Sequence, residues 1–292
     1  MPISEAQLQI WSNQGAMSGS RDTYNIVKSI LEMKHAPYAS RVFDVFLQGS
    51  YGNDTNIYAE SDVDIVIKLN SIFQYNIETL SPNQRLSFSQ ETLPIDYHLQ
   101  DFKRDVLSHL QGTYGFETVT NGSKAINIAA NSARRKTDVI VCMDFRKYYD
   151  ETSYEKGIFF YDISNNEIIN YPKQHSVNCT TKHQNTFRLF KPTVRIFKNL
   201  RNRLIDQGMI FAGDVPSYFI EGMLYNLPDG LFKHNFCITV ANALNWLLAA
   251  TPSSLVCANE QYYLIYEGSP VTWRLDKYNL FLKAACELWN QY

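Results

Sequence analysis

Cysteine is scarce and unpatterned in this chain. The five residues, Cys142, Cys179, Cys237, Cys257 and Cys286, are odd in number and never fall in a CxxC spacing. Neither a disulfide framework nor a zinc ribbon is expected, and the five read as free thiols in a reducing cytoplasm. Long apolar runs are missing too. No basic-then-apolar leader opens the sequence and no hydrophobic segment approaches bilayer length, so the reading is of a soluble, unexported, cytoplasmic protein without a membrane partner. Nor is there an excess of positive charge. With 27 Lys and Arg against 29 Asp and Glu, a net charge of -2 argues against wholesale coating of a nucleic-acid duplex and confines any polyanion site to a local patch. Internal repeats and low-complexity tracts are absent. What remains is a chain of 292 residues, 45% hydrophobic, with 19 Tyr and 17 Phe. That is enough to bury a substantial core as one large domain or two lobes.

Residues 46–68, FLQGSYGNDTNIYAESDVDIVIK, organise the rest. They read as a strand, a glycine-bearing turn, a connector and a second strand over 61–69 carrying two aspartates. Side chains repeat every two residues along a strand, so Asp62 and Asp64 leave the same face. Like charges so placed repel, and folding does not need them. A divalent magnesium ion resolves the conflict, because it takes carboxylate oxygens and completes its shell with water and substrate phosphates. The turn suits the phosphate side: Gly49 permits close backbone approach, and the Ser50 hydroxyl with neighbouring amides can hold a terminal phosphate.

A Gly-Ser turn followed about a dozen residues later by Asp-x-Asp resembles the signature of the polymerase-beta-like nucleotidyltransferase superfamily. Within it, QGSYGNDTNI followed by SDVDIVI is most similar to the bacterial CD-NTases, relatives of cyclic GMP-AMP synthase and oligoadenylate synthase. The resemblance implies an α+β fold: a mixed sheet with flanking helices, a C-terminal helical lobe, and an active site in the cleft between them. The division expected is a catalytic lobe over 1–177, including N-terminal helices within 4–35 that pack behind the sheet, and a helical nucleotide-binding lobe over 178–292.

A third carboxylate is implied on a strand beside the Asp-x-Asp strand. Asp138, opening the apolar run Val139, Ile140, Val141, resembles it. Asp144 is the rival, on the same strand face but in a patch with Arg146 and Lys147 that suits a salt bridge. Thr137 and Cys142 depart from the small residue and the proline that the family often carries here.

Between these motifs, a helical stretch from 81 to 110, interrupted near Pro94, stops at Gly112. His98 and His109 within it lack a second ligand at helical spacing and read as surface or capping residues. A β-rich region follows from 115 to 150, with Asn121-Gly122 marking a hairpin, and a further hairpin turns at Ser164-Asn165-Asn166. YPKQHSVNCTTKH resembles the family's Pro-x-x-His element, in which His175 either contacts phosphate or base or fixes the loop by a backbone hydrogen bond. From about 181 the chain reads as helical.

Arg188, Lys191, Arg195 and Lys198 recur at three or four residue steps without interleaved acids. Such a stripe is either a solvated face or an anion-facing surface. In the family a lysine here and a serine opening the next helix contact the donor triphosphate, and a tyrosine after that serine stacks on a base. Lys198, Ser217 and Tyr218 match these positions, and Ser217 also reads as an N-cap. Gln48, Tyr171 and Asn178 are candidates for base-edge contacts. Further helices near 235–250 and 271–292 supply core residues such as Leu244, Trp246, Leu247, Leu248, Leu280, Phe281, Leu282 and Trp289.

The resemblance implies a Mg2+-dependent nucleotidyltransferase that joins NTPs into a cyclic di- or trinucleotide messenger for anti-phage (CBASS) defence. The product acts on a separate effector protein, and the chain itself is expected to be a monomer. Asp62, Asp64 and Asp138 would hold two ions, with Mn2+ as a substitute; Gln48, Gly49, Ser50, Lys198, Ser217 and Tyr218 would bind nucleotide. The bulky end Trp289-Asn290-Gln291-Tyr292 does not suit the C-terminal conjugation some members undergo. Other readings are an RNA-tailing nucleotidyltransferase, a linear oligonucleotide synthase switched on by nucleic acid, and a catalytically degenerate regulatory subunit. The acidic balance speaks against the first two, and retention of all three carboxylates against the third.

Overall fold

The computed structural model describes residues 3–15, 18–58, 62–90 and 96–290. In chain order, α1 (Glu5–Ser12) and α2 (Ser18–Leu31) precede β1 (Phe43–Gln48), the single helical turn α3 (Gly49–Gly52) and β2 (Val63–Asn76). Then come α4 (Pro82–Gln90), α5 (Leu99–Tyr114), the hairpin β3 (Val119–Asn121) and β4 (Ile126–Ile128), and the long strand β5 (Thr137–Tyr148). The hairpin β6 (Tyr154–Tyr161) and β7 (Glu167–Asn170) ends the β region. The remainder is helical: α6 (Pro172–Asn185), α7 (Phe190–Asp206), α8 (Ser217–Tyr225), α9 (Phe236–Ala249) and α10 (Leu275–Asn290).

These elements form two compact units. A sheet unit comprises Ser18–Gln48 and Asp62–Pro172, and a helical unit comprises Met1–Met17, Gly49–Ser61 and Lys173–Tyr292. The sequence-based division at 177/178 lies close to the last boundary, but residues 1–17 and 49–61 group with the helices.

In the sheet unit, seven strands run β1-β2-β5-β4-β3, with β6 pairing β5 and β7 pairing β6. Among the described strands only β2 and β5 pair in parallel, so the sheet is mixed, as expected. Val63, Ile65, Val66, Ile67 and Leu69 of β2 are all fully buried, the continuous apolar run of a strand covered on both faces. β2 outlasts its expected end and continues to Asn76 after a register break between Leu69 and Phe73. Its expected start at Ser61 lies outside the described residues.

α2 and α5 pack on this sheet, α5 through Leu99, Phe102, Val106 and Leu110 at helical spacing. His109 shares that stripe. It is buried, with Nε2 2.9 Å from the Ile30 carbonyl and its ring against Tyr38, so the surface or capping expectation is corrected for it. His98 does cap α5, its backbone N–H donating to Asp101 at 3.0 Å. The helix runs through Gly112 and ends at Gly115, whose φ of 91° is the conformation glycine tolerates. The expected interruption near Pro94 falls outside the described residues.

The helical unit is built around α7, whose Phe190, Val194, Phe197 and Leu204 enter one large core. α1 joins this core through Leu8 and contacts α7 and α9, which corrects its expected place behind the sheet. Leu244, Leu247, Phe281 and Leu282 are core residues and Trp246 and Trp289 pack at its margin, whereas Leu248 and Leu280 lie on outward stripes at 58% and 36% exposure. α6 opens at Pro172, earlier than the sequence pattern suggested, because proline is preorganised for a first helical turn.

Glu5 joins α1 to the start of α9. Its carboxylate accepts the Phe236 and Cys237 backbone N–H groups at 2.9 and 2.8 Å, two donors with no partner inside the helix. Burial raises its pKa, but these bonds outweigh it and hold the carboxyl below its ordinary value. Glu5→Gln should therefore cost about 1 kcal/mol in urea denaturation at neutral pH. The difference from wild type should shrink as pH falls through the carboxylate range, since the wild-type contribution is present only while Glu5 is ionised. Parallel stability curves for the two proteins would refute the cap.

Candidate active site

The carboxylates converge within the sheet unit through strand register. Asp64 on β2 pairs with Asp138 on β5, Gln48 on β1 pairs with Asp64, and Asn127 on β4 pairs with Asp138. Gln48, Asp64, Asp138 and Asn127 thus form one cross-strand row, two acids flanked by two amides, with side chains on one face. Asp62 stands one residue before β2. Its carboxylate reaches the Lys136 ammonium at 2.6 Å, and the same Nζ lies 4.0 Å from Asp138.

Lys136 was not singled out from the sequence, although alternation along a strand places it with Asp138. Its pKa is raised, first by the hydrogen bond to Asp62 and, against a burial cost, by the charges of Asp138, Asp62 and Asp64. The local field therefore stabilises a cation. Carboxylates with no nitrogen or sulfur ligand among them are hard oxygen donors of the kind Mg2+ or Mn2+ takes, so the chemistry of these residues fits a divalent metal, although the side chains are not drawn in around one ion as tightly as His175, Cys179 and Glu221 are around one another.

Asp144 has a different environment. It lies beyond the register break and pairs with Lys68, which also approaches Asp44 at 3.9 Å. The salt-bridge reading holds, with Lys68 rather than Arg146 or Lys147 as its partner; Arg146 instead lies 3.8 Å over the Phe73 ring.

In the helical unit, Gly49 takes φ 68° at the start of α3, and Ser50 follows, half-buried. The Asn53 to Asn56 loop after this turn is held by the cationic stripe of α7. Lys191 pairs with Asp54 at 3.0 Å, Arg195 donates to the Asp54 and Ser12 carbonyls, and Lys198 donates to the Thr55 carbonyl at 3.0 Å. Lys198 is fully buried and Lys191 7% exposed. These cations face the protein's own loop, so neither a solvated face nor an open anion surface describes them.

Glu221 completes the clamp. Buried in α8, it accepts from Thr55 Oγ1 at 2.5 Å, from Asn53 Nδ2 at 3.1 Å, and meets His175 Nε2 at 2.5 Å. Burial pushes its pKa up, yet the His175 bond and charge, then Lys198 and the Thr55 bond, hold it below its ordinary value. An acid inside the apolar run SYFIEGMLY was the sequence signal for this residue. His175 lies in α6, so its role differs from both sequence readings: it is a buried partner to a carboxylate. With Cys179 these two form a cluster of metal-ligand type, but the oxygens of Glu221 are already committed to Asn53, Thr55 and His175.

Ser217 is the first residue of α8 rather than its N-cap, and its hydroxyl accepts from Arg201 at 3.2 Å. The Tyr218 ring stacks on His175 at 4.9 Å, and its hydroxyl accepts from Asn259 at 3.0 Å. Among the base-edge candidates, Tyr171 is buried and Asn178 donates to the Ala258 carbonyl at 2.9 Å. His183, in the last turn of α6, is pushed down to about 4, first by burial and then by the charges of Lys191, Arg195 and Arg188.

Similarity to known proteins identifies the family. Residues 177–290 match the cGAS/DncV-like nucleotidyltransferase C-terminal helical domain. The chain is 38% identical over 296 aligned residues to a cyclic UMP-AMP synthase of Rhodothermus marinus, covering 99% of both chains. The chain belongs to the CD-NTase family. It is 35% identical to cyclic nucleotide synthase CdnE01 of Staphylococcus haemolyticus over the full length of both. The solved R. marinus CdnE c-UMP-AMP synthase with Apcpp and Upnpp superposes with a TM-score of 0.89 at 37% identity, covering 100% of this chain and 98% of that one. This CD-NTase is accordingly a nucleotidyltransferase with the polymerase-beta-like fold, an enzyme class that depends on a divalent metal.

His183 gives this CD-NTase a defined acid sensitivity. Its folded pKa of about 4 lies below the ordinary histidine value of 6.5, so the unfolded chain takes up the proton first. Stability is fully present above about pH 6.5 and falls as pH drops toward 4. His183→Gln should flatten this part of the stability profile in chemical denaturation across that window. An unchanged slope would show that His183 is not held neutral.

Proposed function

We propose that this chain joins nucleoside triphosphates into a cyclic di- or trinucleotide that signals in anti-phage (CBASS) defence through a separate effector protein. The reading is carried by the register that sets Asp64 beside Asp138, with Asp62 reaching the same ammonium, in a close relative of named cyclic nucleotide synthases. Asp62, Asp64 and Asp138 would hold two Mg2+ ions, for which Mn2+ can substitute. Bound there, the pair supplies charge neutralisation of the triphosphate and a lowered pKa for the acceptor hydroxyl.

The protein's own part is to position charge. Gly49 admits the donor phosphates to the backbone, and Ser50 and Ser217 offer them hydroxyls, the latter oriented by Arg201. Lys198 contributes positive charge through the Thr55 loop that it holds. Tyr218, braced by His175, stacks a base, an interaction of about 1–3 kcal/mol whatever the base. Gln48, which pairs with Asp64 in the carboxylate row, would touch nucleotide there. In this reading the chain works as a cytoplasmic monomer without a stable nucleic-acid partner. No described helix is long and apolar enough to cross a membrane.

The test is mass spectrometry of products from a mixture of all four ribonucleotides with Mg2+, with and without RNA. A phosphatase-resistant cyclic product is expected; extension of the RNA, or linear products alone, would overturn the cyclase reading. Asp138→Asn should slow turnover by roughly a thousandfold, corresponding to about 4 kcal/mol of lost transition-state stabilisation, with folding intact. Near wild-type pyrophosphate release by that variant would remove Asp138 from the machinery.

A further inference from the structure

An aspartate at the end of a strand can swing about its terminal torsion, a broad and roughly two-fold well. A metal ligand must lose that freedom. Asp138 loses it to the next strand: Asn127, directly opposite in the antiparallel β4–β5 pair, donates from Nδ2 to Asp138 Oδ1 at 2.7 Å. Lys136 approaches the same oxygen, at 4.0 Å. Both contacts are to Oδ1. The donor is a neutral amide, so it fixes the carboxylate's orientation without cancelling the charge that a cation would need.

The amide is itself placed by an omission. A Cβ at Gly122 would lie 2.0 Å from Asn127 Oδ1 and 2.9 Å from the Ala125 carbonyl oxygen. The φ of Gly122 is not left-handed, so glycine is required there by space and not by backbone conformation. The hairpin loop, closed by the Gly122 N–H on the Ala125 carbonyl at 2.9 Å, therefore leaves a slot that the Asn127 side chain fills on its way to Asp138.

We infer that Asn127 is a positioning residue of the metal centre, holding Asp138 by Oδ1 so that Oδ2 is left for a cation, and that Gly122 leaves the room for it within this hairpin, since a side chain there would meet Asn127 and the Ala125 carbonyl. The inference rests on the reading of Asp138 as a metal ligand. Two features distinguish it from a bland strand contact: the donor addresses one carboxylate oxygen only, and the neighbouring turn is carved to admit it.

The experiment is Mn2+ titration of the full chain without nucleotide, followed by electron paramagnetic resonance, for wild type, Asn127→Ala, Gly122→Ala and Asp138→Asn. Loss of such an outer contact typically weakens metal binding by about 10–100-fold, and Asn127→Ala and Gly122→Ala should both fall in that range with melting temperature little changed. In turnover assays, Asn127→Ala should need about tenfold more Mg2+ for half-maximal rate and regain most of its kcat at saturating Mg2+, which a merely structural defect would not do. Wild-type Mn2+ affinity in folded Asn127→Ala, with Asp138→Asn impaired, would overturn this inference alone. Wild-type affinity in Asp138→Asn would overturn the metal-ligand reading and this inference with it. Gly122→Ala keeps Asn127 in the sequence, so it tests the geometry even where Asn127→Ala does not fold.

Discussion

The sheet unit depends on one costly juxtaposition, two aspartates directly opposite each other across a parallel strand pair. Like charges at that spacing repel, and the partially dehydrated rim of a sheet makes the repulsion stronger than in water. The surrounding residues meet the cost in kind. Lys136 brings a cation to Asp62 and Asp138, and Asn127 gives Asp138 a hydrogen bond without adding charge. The apolar remainder of β2 and β5 locks the register, because a slip of one residue would exchange the face that carries Val63, Ile65 and Ile67 with the face that carries the acids. Burial of the hydrophobic run thereby holds the carboxylates together.

The helical unit solves the opposite problem. α7 carries an unbalanced series of cations, and the chain satisfies them with its own carbonyls and carboxylates. Buried charges persist only when paired and hydrogen-bonded, and here the partners come from the loop after Ser50. That loop is thus fixed from three sides, by α7 through Lys191, Arg195 and Lys198, by α8 through Glu221, and by the N-terminal segment through Gly15 and Asn56, which exchange hydrogen bonds at 3.1 and 3.2 Å. A loop so braced is preorganised, which in the proposed function would lower the reorganisation required when charge develops on a bound phosphate. His175 serves both sides of this arrangement, since it binds Glu221 through one ring atom and supports Tyr218 with its face.

Family membership and site chemistry stand on different footings. Identity across nearly the whole length assigns the chain to the CD-NTases. In the proposed function, choice of base depends on edge contacts, because a ring that stacks on a base, the role given to Tyr218, tolerates any base. Asn178 and Tyr171 are engaged with the protein itself, which leaves Gln48 in the carboxylate row as the edge candidate tied most directly to the site.

Much of this was legible in the amino-acid order, because the signals are local. Period-two alternation and an apolar run announce β2 and β5, glycine after a strand announces the turn, and Asn121-Gly122 announces a hairpin. The acids Asp62, Asp64 and Asp138 follow from those patterns together with the family resemblance. Other features were hidden because they depend on what lies opposite. Whether His109 is capping or core, whether α1 covers the sheet or the helices, and whether the α7 lysines face water or a carbonyl are settled by partners distant in sequence. Asn127 was invisible for the same reason: a polar side chain has no meaning until register or packing supplies its partner. The sequence by itself determined which strands and which acids exist, since hydrophobic periodicity and charge are properties of neighbours along the chain. Only the tertiary structure decided what each acid touches, because hydrogen bonds and ion pairs act over a few ångströms of space regardless of separation along the backbone.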